Sequence, residues 1–415
     1  MPLPKPSDRD AEGTGDLNDV SKPAAPVRAG LVWTFALACG LIVANLYYAQ
    51  PLVGLIGADL GLSHATVSLV VTLTQLGYGL GLLLLVPLGD RFENRRLSVG
   101  LLTLVALSLI AVATARGSAL FLLATFGMGL CCVAAQILVP FAASLAPPAE
   151  RGRVVGNVMS GLLVGILLAR PLSSFVAEFG GWRAIYAISA VAIVVLAVAL
   201  RRLLPLRQPA PSDLSYGALI RSLWQLFRDT PLLRRRATYH AAMFGAFSAF
   251  WTMIALRLGD APFDFSQRDI ALFALAGASG ALSAPLAGRL ADRGLTRLAT
   301  GGAFLLAGLS FVLAGWGGAA GSLWLLLAAA VILDFAVSVN LVLGQRAIYM
   351  LGDEVRGRLN ALYMALFFGG GAAGSALAGF AYASGGWTRV CEAAFVALAL
   401  TTLYFLTELA HGGKR

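Results

Sequence analysis

The chain has 415 residues, 58% hydrophobic and only 13% charged, with a formal net charge of +10. Ordinary soluble domains carry about 25% charged residues, and a globular core of this length cannot absorb so much apolar surface, so most of it must face lipid. The positive excess lies in short loops between apolar runs, where membrane topology accounts for it, and nucleic acid is not an expected partner.

Residues 1–28 are rich in Pro, Asp, Ala and Gly and lack an apolar run, which predicts a disordered tail. The first apolar run, 30–53, is too long for a signal peptide and contains Asn45, Tyr47, Tyr48, Gln50 and Pro51. Further spans are expected at about 65–88, 97–115, 118–145, 154–177 and 184–203. Residues 204–235 read as a linker. Within it Leu219, Leu223, Leu226 and Phe227 recur at helical spacing with Arg221 and Arg228 between them, the pattern of an amphipathic helix at a membrane surface. The second set of spans falls at 237–256, 270–288, 298–316, 321–346, 359–383 and 389–407, with Gly315–Gly321 expected as a turn. Residues 409–415 are left as a short tail.

Internal repetition supports this division. Leu88, Asp90 and Arg91 in the loop after span 2 match Leu290, Asp292 and Arg293 at an offset of 202 residues. Arg151-Gly-Arg153 matches Arg356-Gly-Arg358, and Gly180-Gly-Trp182 matches Gly385-Gly-Trp387, both at an offset of 205. The expected fold is therefore all-α and polytopic: twelve transmembrane helices in two pseudo-symmetric six-helix bundles, 29–203 and 236–408. On that count one set of loops holds nineteen Arg or Lys and the opposite set five, which predicts both termini in the cytoplasm.

No nucleophile elbow, phosphate loop or metal-ligand spacing stands out. Cys39, Cys131, Cys132 and Cys391 lie in or at the ends of apolar runs, and an enzyme is not expected. His240, close after Arg234–Arg236, reads as an interfacial histidine. Two ionisable residues fall at membrane depth, where they usually face a cavity or a partner: Arg170 in span 5 and Asp334 in span 10, with Ser338 and Gln345 following Asp334 on one helix face.

At the loop motifs the chain resembles the major facilitator superfamily, whose signature there is roughly G-x-L-A-D-R-x-G-R-R. Leu88, Asp90, Arg91 and Arg95 fit it in the first half, and Gly288, Leu290, Ala291, Asp292 and Arg293 in the second. The stretch Ala44–Pro51 and the Gly-Gly-Trp-Arg183 step are similar to bacterial drug and sugar efflux permeases coupled to protons, although only Pro171 of the antiporters' G-P-x-x-G-G motif is kept. The resemblance implies a rocker-switch carrier in the bacterial inner membrane, with a proton gradient as energy source, no cofactor and no metal. Its expected partners are a small-molecule substrate, protons and membrane lipid, and it is expected to be a monomer. The implied substrate cavity holds Asn45, Tyr48, Gln136, Arg170, Trp251 and Gln345, with Asp334 as the proton-coupling residue. Asp90, Arg91, Arg95, Asp292 and Arg293 would form gating loops. Export of small organic molecules is the leading expectation. The alternatives are uptake or exchange of an organic anion, or a sensor or scaffold without transport.

Overall fold

The computed structural model describes residues 29–208, 215–277, 283–352 and 355–412. The tail 1–28, part of the linker (209–214), part of the span expected at 270–288, and residues 413–415 lie outside them.

Helix α1 (Ala29–Ala44) ends where Asn45 turns its amide back onto the helix, Nδ2 donating to the carbonyls of Leu41 at 2.8 Å and Ile42 at 3.2 Å. The Ile42 carbonyl also accepts the Asn45 backbone N–H at 3.4 Å, so side chain and backbone close the helix end together. A short turn, Gln50–Leu52, carries Pro51 at its start, where a missing N–H costs nothing, and leads into α2 (Val53–Leu60). The break leaves the Gln50 side chain fully buried among helices. Gly61 ends α2 with φ +63°, and α3 (His64–Val67) and α4 (Leu69–Leu84) follow.

A tight turn, Val86–Asp90, joins α4 to α5 (Asn94–Thr114). Then come α6 (Ser118–Cys131), α7 (Ala134–Leu145), α8 (Arg151–Gly180) and α9 (Trp182–Leu203). In the linker, α10 (Tyr216–Asp229) is capped by Ser215, whose Oγ accepts from the Ala218 N–H. The second half comprises α11 (Pro231–Gly259), α12 (Gln267–Ala274), α13 (Ser283–Asp292), α14 (Thr296–Ala320), α15 (Leu323–Tyr349) and α16 (Arg356–Gly412). Gly385 and Gly386 leave helical angles, Gly386 at φ +63°, and divide α16. Among the described residues nine helical stretches are long and apolar enough to cross a membrane.

Two details differ from the sequence reading. Pro231 opens α11, so that helix starts within the stretch assigned to the linker. The glycine run 315–321 is not a turn: α14 continues to Ala320 and only Gly321 takes the left-handed conformation. The physical reason is packing, because a Cβ at Gly318 would strike the Trp387 indole. In a membrane, small residues serve close helix approach more often than chain reversal.

The halves repeat one packing device. In the first, α1 lies on α8 with Gly40 against Gly161 and Gly165; a Cβ at Gly40 would stand 2.7 Å from the Gly161 carbonyl oxygen. In the second, α11 lies on α16 with Gly245 against Gly370 and Gly374, and a Cβ at Gly245 would stand 2.9 Å from the Gly370 carbonyl oxygen. Gly40 and Gly245 stand 205 residues apart, the offset of the repeated motifs. Each pair is a small-xxx-small contact with backbone against backbone, and no side-chain rotation can relieve an added Cβ. Gly165→Leu and Gly374→Leu are each expected to cost about 3 kcal/mol or more. Gly152→Ala, where a Cβ meets nothing within 4 Å, should be neutral. Melting of the purified variants in detergent checks both outcomes.

Candidate functional site

Arg170 lies on α8, about 29 Å along the helix from Arg151. It is only 3% exposed. Its Nε donates to Gln50 Oε1 at 2.6 Å, so the break after α1 is what brings a polar partner to this depth. Three rings surround the guanidinium, with centroids 5.3 Å away for Tyr47, 5.1 Å for Phe247 and 4.4 Å for Trp251. Phe247 and Trp251 lie one turn apart on α11, so a helix of the second half faces a cation of the first.

Trp251 connects the cation to an acid. Its Nε1–H donates to Asp334 Oδ1 at 2.8 Å, and Asp334 is 5% exposed on α15. Gly277, just beyond α12, closes the group. A Cβ there would lie 2.9 Å from Asp334 Oδ2, 3.3 Å from Arg170 Nη1 and 3.3 Å from the Trp251 ring. Cation and carboxylate thus both approach one glycine, yet form no ion pair within 4.0 Å. Arg170 Nη2 and Gln50 Nε2 are buried without a hydrogen-bond partner. A void of about 10 Å³ beside Arg170, lined by Pro51, Trp251, Ile254 and Phe273 among others, has room for about one water.

The other residues selected from the sequence are dispersed. Asn45 Oδ1 accepts from Ser189 at 2.7 Å, and its amide nitrogen holds the end of α1. The Tyr48 ring packs edge-on against Tyr186 at 6.4 Å, inside the first half. Gln136 donates to the Tyr78 hydroxyl at 3.1 Å. Gln345 donates to Asn360 at 3.2 Å and borders a cleft of about 710 Å³ with Val342, Arg346, Tyr349 and Arg356, at the arginine-rich end of α15.

His240 corrects the sequence reading. It is fully buried, not interfacial: Nδ1 pairs with Asn340 Nδ2 at 3.2 Å, and the ring stacks on Phe367 at 4.3 Å and Tyr363 at 5.1 Å. Sequence reasoning also passed over Gln50, Tyr47, Phe247 and Gly277. A usable signal existed for Gln50 alone, a long polar side chain next to a proline in a charge-free run.

The loop residues divide in two. Asp292 pairs with Arg346 Nη2 at 2.5 Å, tying the turn after α13 to the end of α15, and Arg293 is exposed. In the first half Asp90 and Arg91 are exposed, and Arg95 Nη1 donates to the Leu204 carbonyl at 3.0 Å. Glu93 holds this loop together. Its carboxylate accepts from the backbone N–H groups of Arg95 and Arg96, both at 2.8 Å, and of Arg207 at 3.1 Å, so it caps α5 and anchors the linker.

The chain can now be placed among known proteins. Residues 35–318 match the family model of the Major Facilitator Superfamily. The chain belongs to the Major Facilitator Superfamily. It is 42% identical over 374 residues to the uncharacterized transporter YgaY of Escherichia coli O157:H7, covering 90% of this chain and 94% of the relative. It is 34% identical over 366 residues to the probable transporter SCO4007 of Streptomyces coelicolor, covering 86% and 83% respectively. Its fold matches the crystal structure of a bacterial homolog of the human lysosomal transporter Spinster, inward-facing and occupied, with TM-score 0.74 and 16% identity, over 93% of this chain and 97% of that one. This major facilitator protein is a multi-pass membrane transporter and not an enzyme.

For this transporter, the Glu93 anchor carries a pH signature. Burial pushes the carboxyl up, but the three N–H donors and the Arg95 charge outweigh it and hold Glu93 below its ordinary range. A depressed carboxyl contributes stability that is present above its unfolded value, about 4.3, and is lost as pH falls through the folded value. Hydrogen exchange across 204–208, corrected for intrinsic rates, should show protection at neutral pH that disappears on acidification. Glu93→Ala should lack that protection at every pH.

Proposed function

We propose that this chain is a proton-coupled secondary transporter of small organic molecules working by alternating access, with export as the leading direction. In this reading twelve spans form two six-helix bundles in a bacterial inner membrane, with both termini and the arginine-rich face in the cytoplasm. Asp334 carries the proton, and the Asp90 and Asp292 loops act as latches. The carrying observation is the chain of contacts from Arg170 of the first half through Trp251 to Asp334 of the second. A desolvated cation–π contact is worth about 2 kcal/mol, and a hydrogen bond to a charged group about 1.5–3 kcal/mol. That is the scale of the few kcal/mol that separate conformers of a switching protein. A rocking motion that parts the halves must part Arg170 from Trp251, and substrate or proton binding can offset the loss.

A second reading, uptake or exchange of an organic anion, is favoured by the unpartnered Nη2 of Arg170. Proton-coupled export and proton-coupled uptake both need a group that gains and loses a proton at membrane depth, and this reading assigns that role to Asp334.

The test is a substrate screen in proteoliposomes with an imposed proton gradient. Asp334→Asn should abolish accumulation or extrusion against a gradient while substrate still binds. Proton-driven concentrative transport by the Asn protein would exclude Asp334 as the coupling site. Topology is checked independently. Single cysteines introduced at Ser222 and Thr407 should react with an impermeant maleimide only in inside-out vesicles, and labelling in intact cells would overturn the orientation.

A further inference from the structure

We infer that Arg170 Nη2 and Gln50 Nε2 form a binding site for the carboxylate of a small organic acid, and that this anion and the proton on Asp334 bind together and cross in the same direction. The inference rests on the proton-coupled reading of the same site and selects between its two forms.

The hydrogen-bond inventory is one-sided. Gln50 Oε1 is taken by Arg170 Nε, and Asp334 Oδ1 by the Trp251 indole. Among the atoms left buried without a partner are two donors of this group, Arg170 Nη2 and Gln50 Nε2, in side chains 3% and 0% exposed. A buried site with unpartnered donors and a fixed cation is complementary to an acceptor that brings its own negative charge. The planar guanidinium edge suits a carboxylate in particular. A cationic drug would meet Arg170 head-on, and a neutral amide would bring donors to a site already rich in them. The rings of Tyr47, Phe247 and Trp251 and the side chains of Ile254 and Phe273 supply apolar walls for an aromatic or branched body. The adjoining void of about 10 Å³ holds no more than about one water, so the acid enters only when the halves part.

Charge balance gives the coupling. The site holds one cation and one carboxylate, both brought close to Gly277. Adding an anion alone leaves the buried group with net negative charge and sets two like charges close together in a medium that screens poorly. Adding the anion with a proton on Asp334 keeps the group neutral, and the protonated carboxyl still accepts from the Trp251 indole through its carbonyl oxygen. The charged and titratable groups facing Asp334 are Arg170 from α8 and Tyr47 from the turn after α1, with Trp251 from α11 and Gly277 as neutral neighbours. Among the described residues no other charged group contributes there. Cooperative binding of proton and anion means symport. An antiporter needs the two to compete.

The experiment is isothermal titration of the purified full-length protein in nanodiscs between pH 5 and 8. The panel is benzoate, a branched aliphatic carboxylate, their primary amides and a quaternary ammonium ion. Carboxylates should bind, with the amides at least about tenfold weaker for want of a charge-assisted bond. Carboxylate affinity should fall by up to about tenfold per pH unit as Asp334 ionises, the limit for uptake of one proton. Asp334→Asn should flatten that dependence. Arg170→Lys should weaken binding at every pH. Gln50→Glu, which places a carboxylate on Arg170 from within, should abolish binding and still melt cooperatively. Gln50→Met, which only removes the donor, should weaken it. In liposomes a carboxylate gradient should drive protons in its own direction. Affinity that rises with pH, preference for the amides or the ammonium ion, or failure of every carboxylate to bind overturns the inference. If the ammonium ion is then carried by proton drive through Asp334, the transporter reading stands without the anion site. If carboxylates bind and move with no proton flux, the coupling reading fails instead.

Discussion

A guanidinium held in the membrane without a bonded counter-ion governs this molecule. Placing such a charge at helix depth costs several kcal/mol unless its surroundings answer it, and here three separate features do so. Pro51 and the Asn45 amide break the first span, which puts the Gln50 carbonyl oxygen 2.6 Å from Nε. Tyr47, Phe247 and Trp251 present ring faces. Gly277 keeps a side chain out of the space where Arg170 and Asp334 approach. Each answer is partial, and one guanidinium nitrogen, Nη2, is left without a partner. The Arg236 cluster also leaves one nitrogen, Nε, unpartnered, and differs in having a bonded counter-ion. That cation donates to Glu408 and Thr300 at 3.1 Å each, and Glu408 also accepts from Tyr239 at 3.0 Å, so the ends of α11, α14 and α16 are locked together.

The duplication explains where asymmetry was free to arise. Packing glycines repeat: Gly40 with Gly161 and Gly165, then Gly245 with Gly370 and Gly374. The charged residues do not repeat. The offset of 209 that relates Gly165 to Gly374 carries Arg170 onto Gly379, where a Cβ would strike Ser68. The offset of 205 carries Asp334 back onto Gly129, where a Cβ would run into the Thr74 backbone. In each pair one half has a charge and the other a glycine used for contact. The cation therefore comes from one half and the acid from the other.

Much of the class was legible from the chain because the bilayer writes its demands in composition and loop charge. The repeated Asp-Arg loops and the membership in the superfamily follow from residues that can be read in order. Arg170 and Asp334 stood out because an ionisable residue in a charge-free run is conspicuous anywhere. Trp251 as their go-between was not legible, since sequence order does not say which helix faces meet. Asn45 and Tyr48 look as suitable as Tyr47 and Gln50 until the break in the first span fixes their directions, after which the former two pack inward on α9. His240 was misread for a related reason. One helical turn carries it about 5 Å deeper than Arg236, and the rotation of α11, invisible in the sequence, sets it against Asn340 and Phe367.

The bonds between the two halves are distributed unevenly. Thr72 meets Ser375 at 2.8 Å, Gln75 exchanges bonds with Ser248 at 3.0 and 3.1 Å, and the Arg268 N–H donates to Glu178 at 3.1 Å. All lie in the arginine-poor part of the helices. Toward the arginine-rich end α4 and α16 are separated by an apolar groove of about 380 Å³, lined by Leu83 and Leu366 and covered by Leu223, Trp224 and Phe227 of α10. There the halves are linked through the linker helix, by Tyr216 to the Leu84 carbonyl at 2.8 Å and Arg358 to Ser222 at 3.1 Å. Apolar contact is non-directional and tolerates sliding, whereas short buried hydrogen bonds do not. The structure is thus fastened at one end and cushioned at the other. The Arg170–Trp251–Asp334 group stands near the fastened side, close to these directional bonds.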